Sequence, residues 1–521
     1  MSASNIKALP HEKTPEAIIN APPNEVSYEH VLTHIGFGKA QWMLLISSGL
    51  MTLTSMSAQY SIGIISIASQ CEFRMSQMEK GIMMSACVAG IFLSTYVWGY
   101  LSDSFGRRAV LLSGAFATSA LQFMLMFVTN IWLFNCINLA IGISLGGVSA
   151  ALYTNLSEFN TAKNRPVVIN YSTMFVSIAA IYVPVVSWLL LSLDWSFQFH
   201  EAFVFRPWRL IILLTLLPGF VGALLLLPCP ESPKLLLAQR RMEEAVLAVE
   251  WICHFNTRKS VSSVIGMSDY TLQPEGDEHE DLLAKNSGCS VLVNIWRATQ
   301  PLFHKPHRSH FILSLVVISG MFFSYSGMQM WYPEIVNRST DNSTERSLTV
   351  CQILDSSFDK QTVSNTTAAN GNKICDDSIS TETYVQNIIV GAAFLLGFAI
   401  QGTLLKPLGR KNVLIGALGF STLSGILLHF VPNATVVLVL FCLYILLPGL
   451  AISVMLEVVV ELMPTHLRGK AISICFTLGR LGIMLSAYLI GIMLEPLCNT
   501  TFAIFSATML VCAFLVHLLP I

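Results

Sequence analysis

Two charged residues stand where a charge is expensive. Arg480 lies inside an otherwise apolar run, and Glu457 lies one helical turn before Glu461 in the preceding run. Counted from the start of its run, Arg480 is ~15 Å deep at the α-helical rise of 1.5 Å per residue. Such a side chain costs at least ~2.5–3.5 kcal/mol to place in a bilayer, so it must face a cavity or an opposite charge. Three arrangements satisfy that demand: Arg480 binds an anionic group, Glu457 binds a cation or proton, or the two form a structural pair. A second set is aromatic and amide-bearing. Tyr325, Ser326, Gln329, Trp331 and Tyr332 cluster toward the end of one apolar run, and Gln59 and Tyr60 sit similarly in another. These groups suit a small organic cation or amphiphile through cation–π and hydrogen-bond contacts. Trp331 and Tyr332 fit an interfacial aromatic belt equally well.

The elements that carry these residues follow from composition. Apolar residues make up 53% of the 521-residue chain and charged residues 12%, against roughly 25% charged in soluble domains, so the solvent for most of this chain is lipid. Runs of bilayer-spanning length fall at 42–66, 81–102, 109–128, 132–155, 167–192 and 207–228, then at 309–332, 384–405, 413–431, 435–460, 471–494 and 501–519. The spacing predicts an all-α membrane protein of twelve spanning helices. Its organisation is a cytosolic N-terminal tail (1–40), a first six-helix bundle (41–228), a cytosolic central loop (229–308) and a second six-helix bundle (309–521) with an outer loop at 333–383.

Charge sets the orientation. Residues 1–40 are polar and lack a signal-peptide core, so the N-terminus is expected in the cytosol. Twenty-one of the 30 Lys and Arg then fall in cytosolic segments, as the positive-inside rule requires. The sequons at Asn337, Asn342, Asn365 and Asn499 all fall on the other side, as glycosylation acceptors must; one at Asn155, at a cytosolic helix end, is read as chance. Cys351 and Cys375 share the outer loop and could pair there.

The chain also repeats itself. Gly99, Asp103, Gly106, Arg107 and Arg108 follow the second run; Gly402, Lys406, Gly409, Arg410 and Lys411 follow the eighth. Glu158 and Arg165 follow the fourth run; Glu461 and Arg468 follow the tenth. Each matched pair is 303 residues apart. Two six-helix units in the same orientation are therefore parallel repeats. Gly106 permits a left-handed backbone in the short turn. Asp103 can cap free helix amides or pair with an arginine, and Arg107 and Arg108 can anchor to headgroups and to acids such as Glu158. These contacts read as a cytosolic latch that breaks on inward opening.

The repeated turns resemble the major facilitator pattern G-x-L-x-D-x-x-G-R-R. Pro228-Cys-Pro-Glu231-Ser232-Pro233-Lys234 and Glu461-Leu-Met-Pro-Thr-His-Leu-Arg468-Gly469 resemble motifs after the sixth and tenth helices of sugar porters and organic-ion transporters. Gly36-Phe-Gly-Lys-Ala-Gln-Trp42, Ser157-Glu158-Phe159, Trp195-Ser-Phe-Gln198, Phe205, Trp208-Arg209 and Trp331-Tyr332-Pro333 are similar to the synaptic vesicle glycoprotein 2 family. The resemblance implies a major facilitator fold whose first, fourth, seventh and tenth helices line a central cavity. It implies a synaptic or other secretory vesicle membrane, or the plasma membrane, as location. The sequence departs from the pattern at Lys406, where Asp is expected, and at Asn138, where the family often has Arg. The first run lacks the family's acid, and a repeat of Glu231 would fall at 534, past the last residue.

These features give the expectation of an alternating-access transporter for a small organic solute, an organic ion or neurotransmitter-like metabolite. Its cavity candidates are Gln59, Tyr60, Asn138, Tyr325, Gln329, Glu457 and Arg480. The latch candidates are Gly99, Asp103, Gly106, Arg107, Arg108, Glu158, Arg165, Glu231, Gly409, Arg410, Glu461 and Arg468. A coupling proton or ion, the lipid bilayer and a monomeric state are expected. A net charge of −1 gives no field for nucleic acid, and no metal-ligand spacing, cofactor motif or catalytic constellation stands out, so no enzyme is expected. The contrasting reading is a non-transporting vesicle-membrane regulator or receptor on the same scaffold.

Overall fold

The computed structural model describes residues 25–193, 195–200, 203–267, 270–273, 299–341, 349–354 and 377–520. Twelve long helices dominate it: α1 (Lys39–Ala68), α2 (Gln77–Phe105), α3 (Arg107–Leu125), α4 (Ile131–Glu158), α5 (Arg165–Leu191), α6 (Pro207–Leu226), α7 (Arg308–Asp341), α8 (Thr381–Leu408), α9 (Arg410–Leu427), α10 (Ala434–Leu462), α11 (Thr465–Met493) and α12 (Cys498–His517). Ten of them are long and apolar enough to cross a membrane; α1 is diluted by serine and threonine, and α9 is short. The chain is a multi-pass membrane protein.

Local chemistry starts these helices in matched ways. Asn130 Oδ1 accepts from the amides of Trp132 and Leu133 at the start of α4. Asn433, 303 residues on, accepts from Thr435 and Val436 at the start of α10. Each fills two of the orphan donors of a helix N-terminus. The turns before α3 and α9 pass through Gly106 and Gly409, at φ 113° and 75°, a region that favours glycine. The amides at the start of α3 are capped by Glu231 and not by Asp103. Glu231 Oε1 accepts from Arg107 N at 2.8 Å and Arg108 N at 3.0 Å, a carboxylate at the positive end of a helix dipole. A Cβ on Gly106 would run into that carboxylate. Asp103 instead faces Arg107, 3.6 Å away.

We name the bundle end that carries these arginine turns the basic face, and the opposite end the loop face. One apolar cluster at the loop face takes residues from both halves, among them Ile62, Met83, Ile91 and Val183 with Met328, Trp331, Ile335 and Ile490. Toward the basic face there are two clusters. One belongs to the first half and the other to the second. Three helix crossings join the halves, and each is seated on a glycine. A Cβ on Gly63 of α1 would lie 2.5 Å from the carbonyl oxygen of Met330 in α7. One on Gly491 of α11 would lie 2.8 Å from that of Gln77 in α2. One on Gly391 of α8 would lie 2.8 Å from that of Ala180 in α5. Nearer the basic face the same helices leave Tyr100, Tyr171 and Ile400 exposed.

The tail and central loop are more structured than their polarity suggests. Strand β1 (Glu25–Val26) pairs in parallel with a strand at Thr271–Leu272. Helices Tyr28–Ile35, Met242–Thr257 and Val261–Ile265 bury Val31, Leu32, Val249, Ile252 and Val261 together. This cap is tied to the first half. Tyr28 donates its hydroxyl to the carbonyl of Glu158 at 2.8 Å. Asn256 accepts from Ala40 N at 2.8 Å and donates to Gln41 at 2.9 Å.

Helix α7 corrects the outer loop. Residues 333–341, expected in that loop, are helical, because Glu334 and Arg338 fall one turn apart and pair at 2.8 Å. Asn337 therefore lies inside α7. It is buried, donates to Ser378 O, and accepts from Ser380 N and the Thr383 hydroxyl, so its amide is engaged and has no room for a glycan. Asn342 and Asn365 lie outside the described residues, and Asn499 is exposed at the start of α12. Cys351 bonds Cys498, which excludes the pairing with Cys375, itself outside the described residues. Loop segment and α12 converge in space although 147 residues separate the two cysteines.

Two outcomes follow. Non-reducing digestion is expected to yield a peptide pair joined through Cys351 and Cys498, and recovery of a Cys351–Cys375 pair contradicts the structure. Glu231→Ala is expected to destabilise the protein by about 1 kcal/mol, the usual size of a lost helix cap, read as a lower thermal midpoint, with Glu231→Gln falling between.

Candidate functional site

The latch motifs form the same contacts in each half. Arg107 of α3 pairs with Glu158 at the end of α4, and Arg410 of α9 pairs with Glu461 at the end of α10. Arg165 Nε donates to Asn160 O, and Arg468 Nε donates to Met463 O, both at 3.0 Å. The environments differ. Glu158 is covered by the cap and accepts from the Ser232 hydroxyl at 2.5 Å, while Arg165 reaches Glu29 at 3.0 Å and Arg108 donates to Leu227 O at 2.6 Å. Arg410 and Glu461 are exposed, at 41% and 64%. Gly99, in the body of α2, leaves open space around its Cα. Each of these ion pairs lies within one half. Among the described residues, none of these pairs joins the first half to the second in this state.

Glu457 is corrected as well. It is 53% exposed and lies 3.7 Å from Arg410. It belongs to the basic face and pairs there, away from Arg480. Asn138 is buried and donates to the carbonyl of Met83 at 3.1 Å, so its amide joins α4 to α2 and does not face a cavity.

Arg480 has a different setting. It projects from the middle of α11 into the first half, donating to Thr95 Oγ1 of α2 at 2.5 Å and to Ser149 Oγ of α4 at 3.1 Å. Tyr153, one turn beyond Ser149, lies in electrostatic range and hydrogen-bonds Thr52 of α1. Among the described residues no carboxylate lies within ion-pair distance of Arg480. Hydroxyl dipoles solvate the guanidinium without neutralising it.

Further toward the loop face, Tyr60 of α1 interacts through its hydroxyl with Tyr325 and Gln329 of α7. The Gln329 Oε1 atom is buried with no hydrogen-bond partner. Gln59 donates to Ser55 O of its own helix at 3.0 Å. Tyr60, Tyr325, Gln329 and Arg480 thus all lie where the halves meet. The depth of Arg480 could be read from the sequence; its partners Thr95, Ser149 and Tyr153 could not, since hydroxyls in apolar helices carry no signal of their own.

A separate charged group was missed. Lys80 of α2 and Glu334 of α7 form a buried ion pair of 2.7 Å between the halves. Arg209 at the start of α6 is also fully buried; it pairs with Glu72, donates to Met126 O and Val128 O, and stacks on Trp208. That second cluster lies wholly inside the first half and ties its loop-face turns together.

Comparison with known proteins agrees with this architecture. A family model described as Major Facilitator Superfamily matches residues 45–352, and one described as Sugar (and other) transporter matches residues 357–519. Synaptic vesicle glycoprotein 2A of Rattus norvegicus is 24% identical over 321 residues, covering 59% of this chain and 43% of its own length. Synaptic vesicle glycoprotein 2C of Mus musculus is 23% identical over 321 residues, covering 59% and 44%. The match therefore spans less than half the length of these curated relatives. Among solved structures, the partially occluded inward open xylose transporter XylE from E. coli superposes with a TM-score of 0.62 at 15% identity, over 91% of this chain and 97% of that one. A crystal structure of a D-xylose–proton symporter superposes at 0.57 with the same identity and coverage. With a family model matched over more than half its residues, and two parallel six-helix halves, the chain belongs to the Major Facilitator Superfamily.

Proposed function

We propose that this protein is an alternating-access transporter of a small organic solute that carries an anionic group, with Arg480 as the residue that recognises it. The observation that carries this reading is the setting of Arg480: a half-buried guanidinium at the junction of the halves, donating to Thr95 and Ser149 of the opposite half with no carboxylate among the described residues beside it. A charge held that way is expensive, and a solute anion supplies the missing countercharge. Hydroxyl partners release a guanidinium more readily than a carboxylate does, because no buried countercharge is left behind. A neutral sugar makes no such demand.

Tyr60, Tyr325 and Gln329 extend the site toward the loop face. Their aromatic faces and the bare Gln329 Oε1 suit the organic body of the solute and a hydrogen-bond donor on it. The separate apolar clusters toward the basic face and the shared one at the loop face support a state that receives solute from the basic face. By the positive-inside rule that face is cytosolic, in a vesicle or plasma membrane. A proton or ion can be coupled to the cycle.

The test is uptake into liposomes holding the purified protein, across a panel of carboxylated, cationic and neutral metabolites. Saturable uptake of an organic anion is expected, with Arg480→Ala raising KM or lowering kcat/KM at least tenfold, about 1.4 kcal/mol, and Arg480→Lys recovering part of it. The rival, a non-transporting regulator on the same scaffold, draws on Lys406 standing where the repeat has Asp103. It prevails if no solute shows saturable uptake and Arg480→Ala alters neither thermal stabilisation by the panel nor the cellular phenotype.

A further inference from the structure

A three-residue charge cluster spans the loop-face junction. Lys80 Nζ donates to Glu334 Oε1 at 2.7 Å and to Gln70 Oε1 at 2.9 Å. Arg338 Nε donates to the same Glu334 oxygen at 2.8 Å. Glu334 Oε2 is buried and has no hydrogen-bond partner. Lys80 and Glu334 are 1% and 2% exposed, and the crossing of α2 with α11 at Gly491 lies beside them. Gln70 and Lys80 belong to the first half; Glu334 and Arg338 belong to the second, one helical turn apart on α7.

We propose that this cluster is the loop-face gate of the transport cycle and that it works by partner exchange. The proposal rests on the alternating-access reading above. A buried ion pair is costly to break when one member is left uncompensated. Here neither member is. When the halves part at the loop face, Lys80 leaves with the first half, retains Gln70 and gains water. Glu334 stays on α7 with Arg338, an i,i+4 pair that is already formed. Lys80, reaching across to the Glu334 carboxylate, holds the gate shut; Arg338 keeps that carboxylate satisfied when it is open. Lys80 is thus the closing element, and Arg338 the element that makes opening affordable.

The arrangement gives substitutions of opposite sign. Lys80→Met removes the closing contact while Arg338 still satisfies Glu334, so the fold is kept and the open population rises. Lys80→Arg keeps the charge and stays closed. Arg338→Gln leaves Lys80 as the sole strong partner of Glu334 and deepens closure.

Spin labels at Ser192→Cys, after α5, and Thr381→Cys, at the start of α8, report the separation of the halves; Cys136 and Cys442, the free thiols among the described residues that are not buried, are replaced by Ser. Distances are measured by double electron–electron resonance on the full chain in lipid nanodiscs, with uptake followed in parallel. Lys80→Met is expected to raise the long-distance population at least tenfold relative to wild type, and Lys80→Arg and Arg338→Gln to leave it at or below the wild-type level. An unchanged distribution in Lys80→Met overturns the gate; if wild type still transports, the transporter reading survives that result. Opening in Lys80→Met with no uptake by any variant supports the gate and removes the transporter reading.

Discussion

The halves of this protein hold together through one shared apolar cluster at the loop face, and the placement of everything else depends on it. Inside a membrane the hydrophobic effect cannot press helix against helix, because lipid tails are as apolar as leucine; close packing and satisfied polar groups must do so. Small residues meet that requirement where α1, α2 and α5 cross α7, α11 and α8. Gly63, Gly491 and Gly391 bring backbone against backbone. With that end closed, Arg480 comes within reach of Thr95 and Ser149, and Tyr60 comes to face Tyr325 and Gln329. The site residues lie scattered along the chain from 60 to 480 and are brought together at this junction.

The repeat that is visible in the sequence is also visible in the chemistry, and the two halves put it to different use. Arg107–Glu158 and Arg410–Glu461 are the same pair 303 residues apart. The first is enclosed by Tyr28, Ser232 and the helical cap, and its neighbour Arg107 N is held by Glu231. The second stands in the open with Glu457 as an added acid. An ion pair exposed to water and salt contributes little; an enclosed one is held by its surroundings as much as by its charge. The basic face of the first half is therefore a braced block, and that of the second half is looser.

Much of this fold was legible because membrane crossing imposes a length. The twelve apolar runs locate the twelve helices, and the 303-residue register identifies the halves. The errors arose where polarity was taken for surface. Glu334, Asn337 and Arg338 read as a polar loop, yet they continue α7, since their charges and amide find partners within one turn or across the junction. Lys80, just ahead of the second apolar run, and Arg338, in the expected outer loop, carry no local sign of burial. Their burial depends on a contact between residues 254 positions apart in the chain, which no local pattern records. Glu457 failed in the other direction: counted along the helix it looked deep, but α10 presents it to the basic face, where Arg410 waits. The caps Asn130 and Asn433 were legible by the same register and passed unread. The depth of Arg480 was legible; the lack of a carboxylate beside it among the described residues was not, because that depends on what other helices bring near it.

The three glycines at the junction have a further consequence. The nearest neighbours of each include a backbone carbonyl that cannot turn aside as a side chain can, so an added carbon at any of them acts as a wedge. A wedge excludes one arrangement of the halves by volume and leaves the interior of each half as it was. The conformational preference of this protein is therefore writable at single-atom resolution, at sites that bear no charge and touch no solute. Variation there could retune how long the molecule dwells in each state while the chemistry of recognition stays constant.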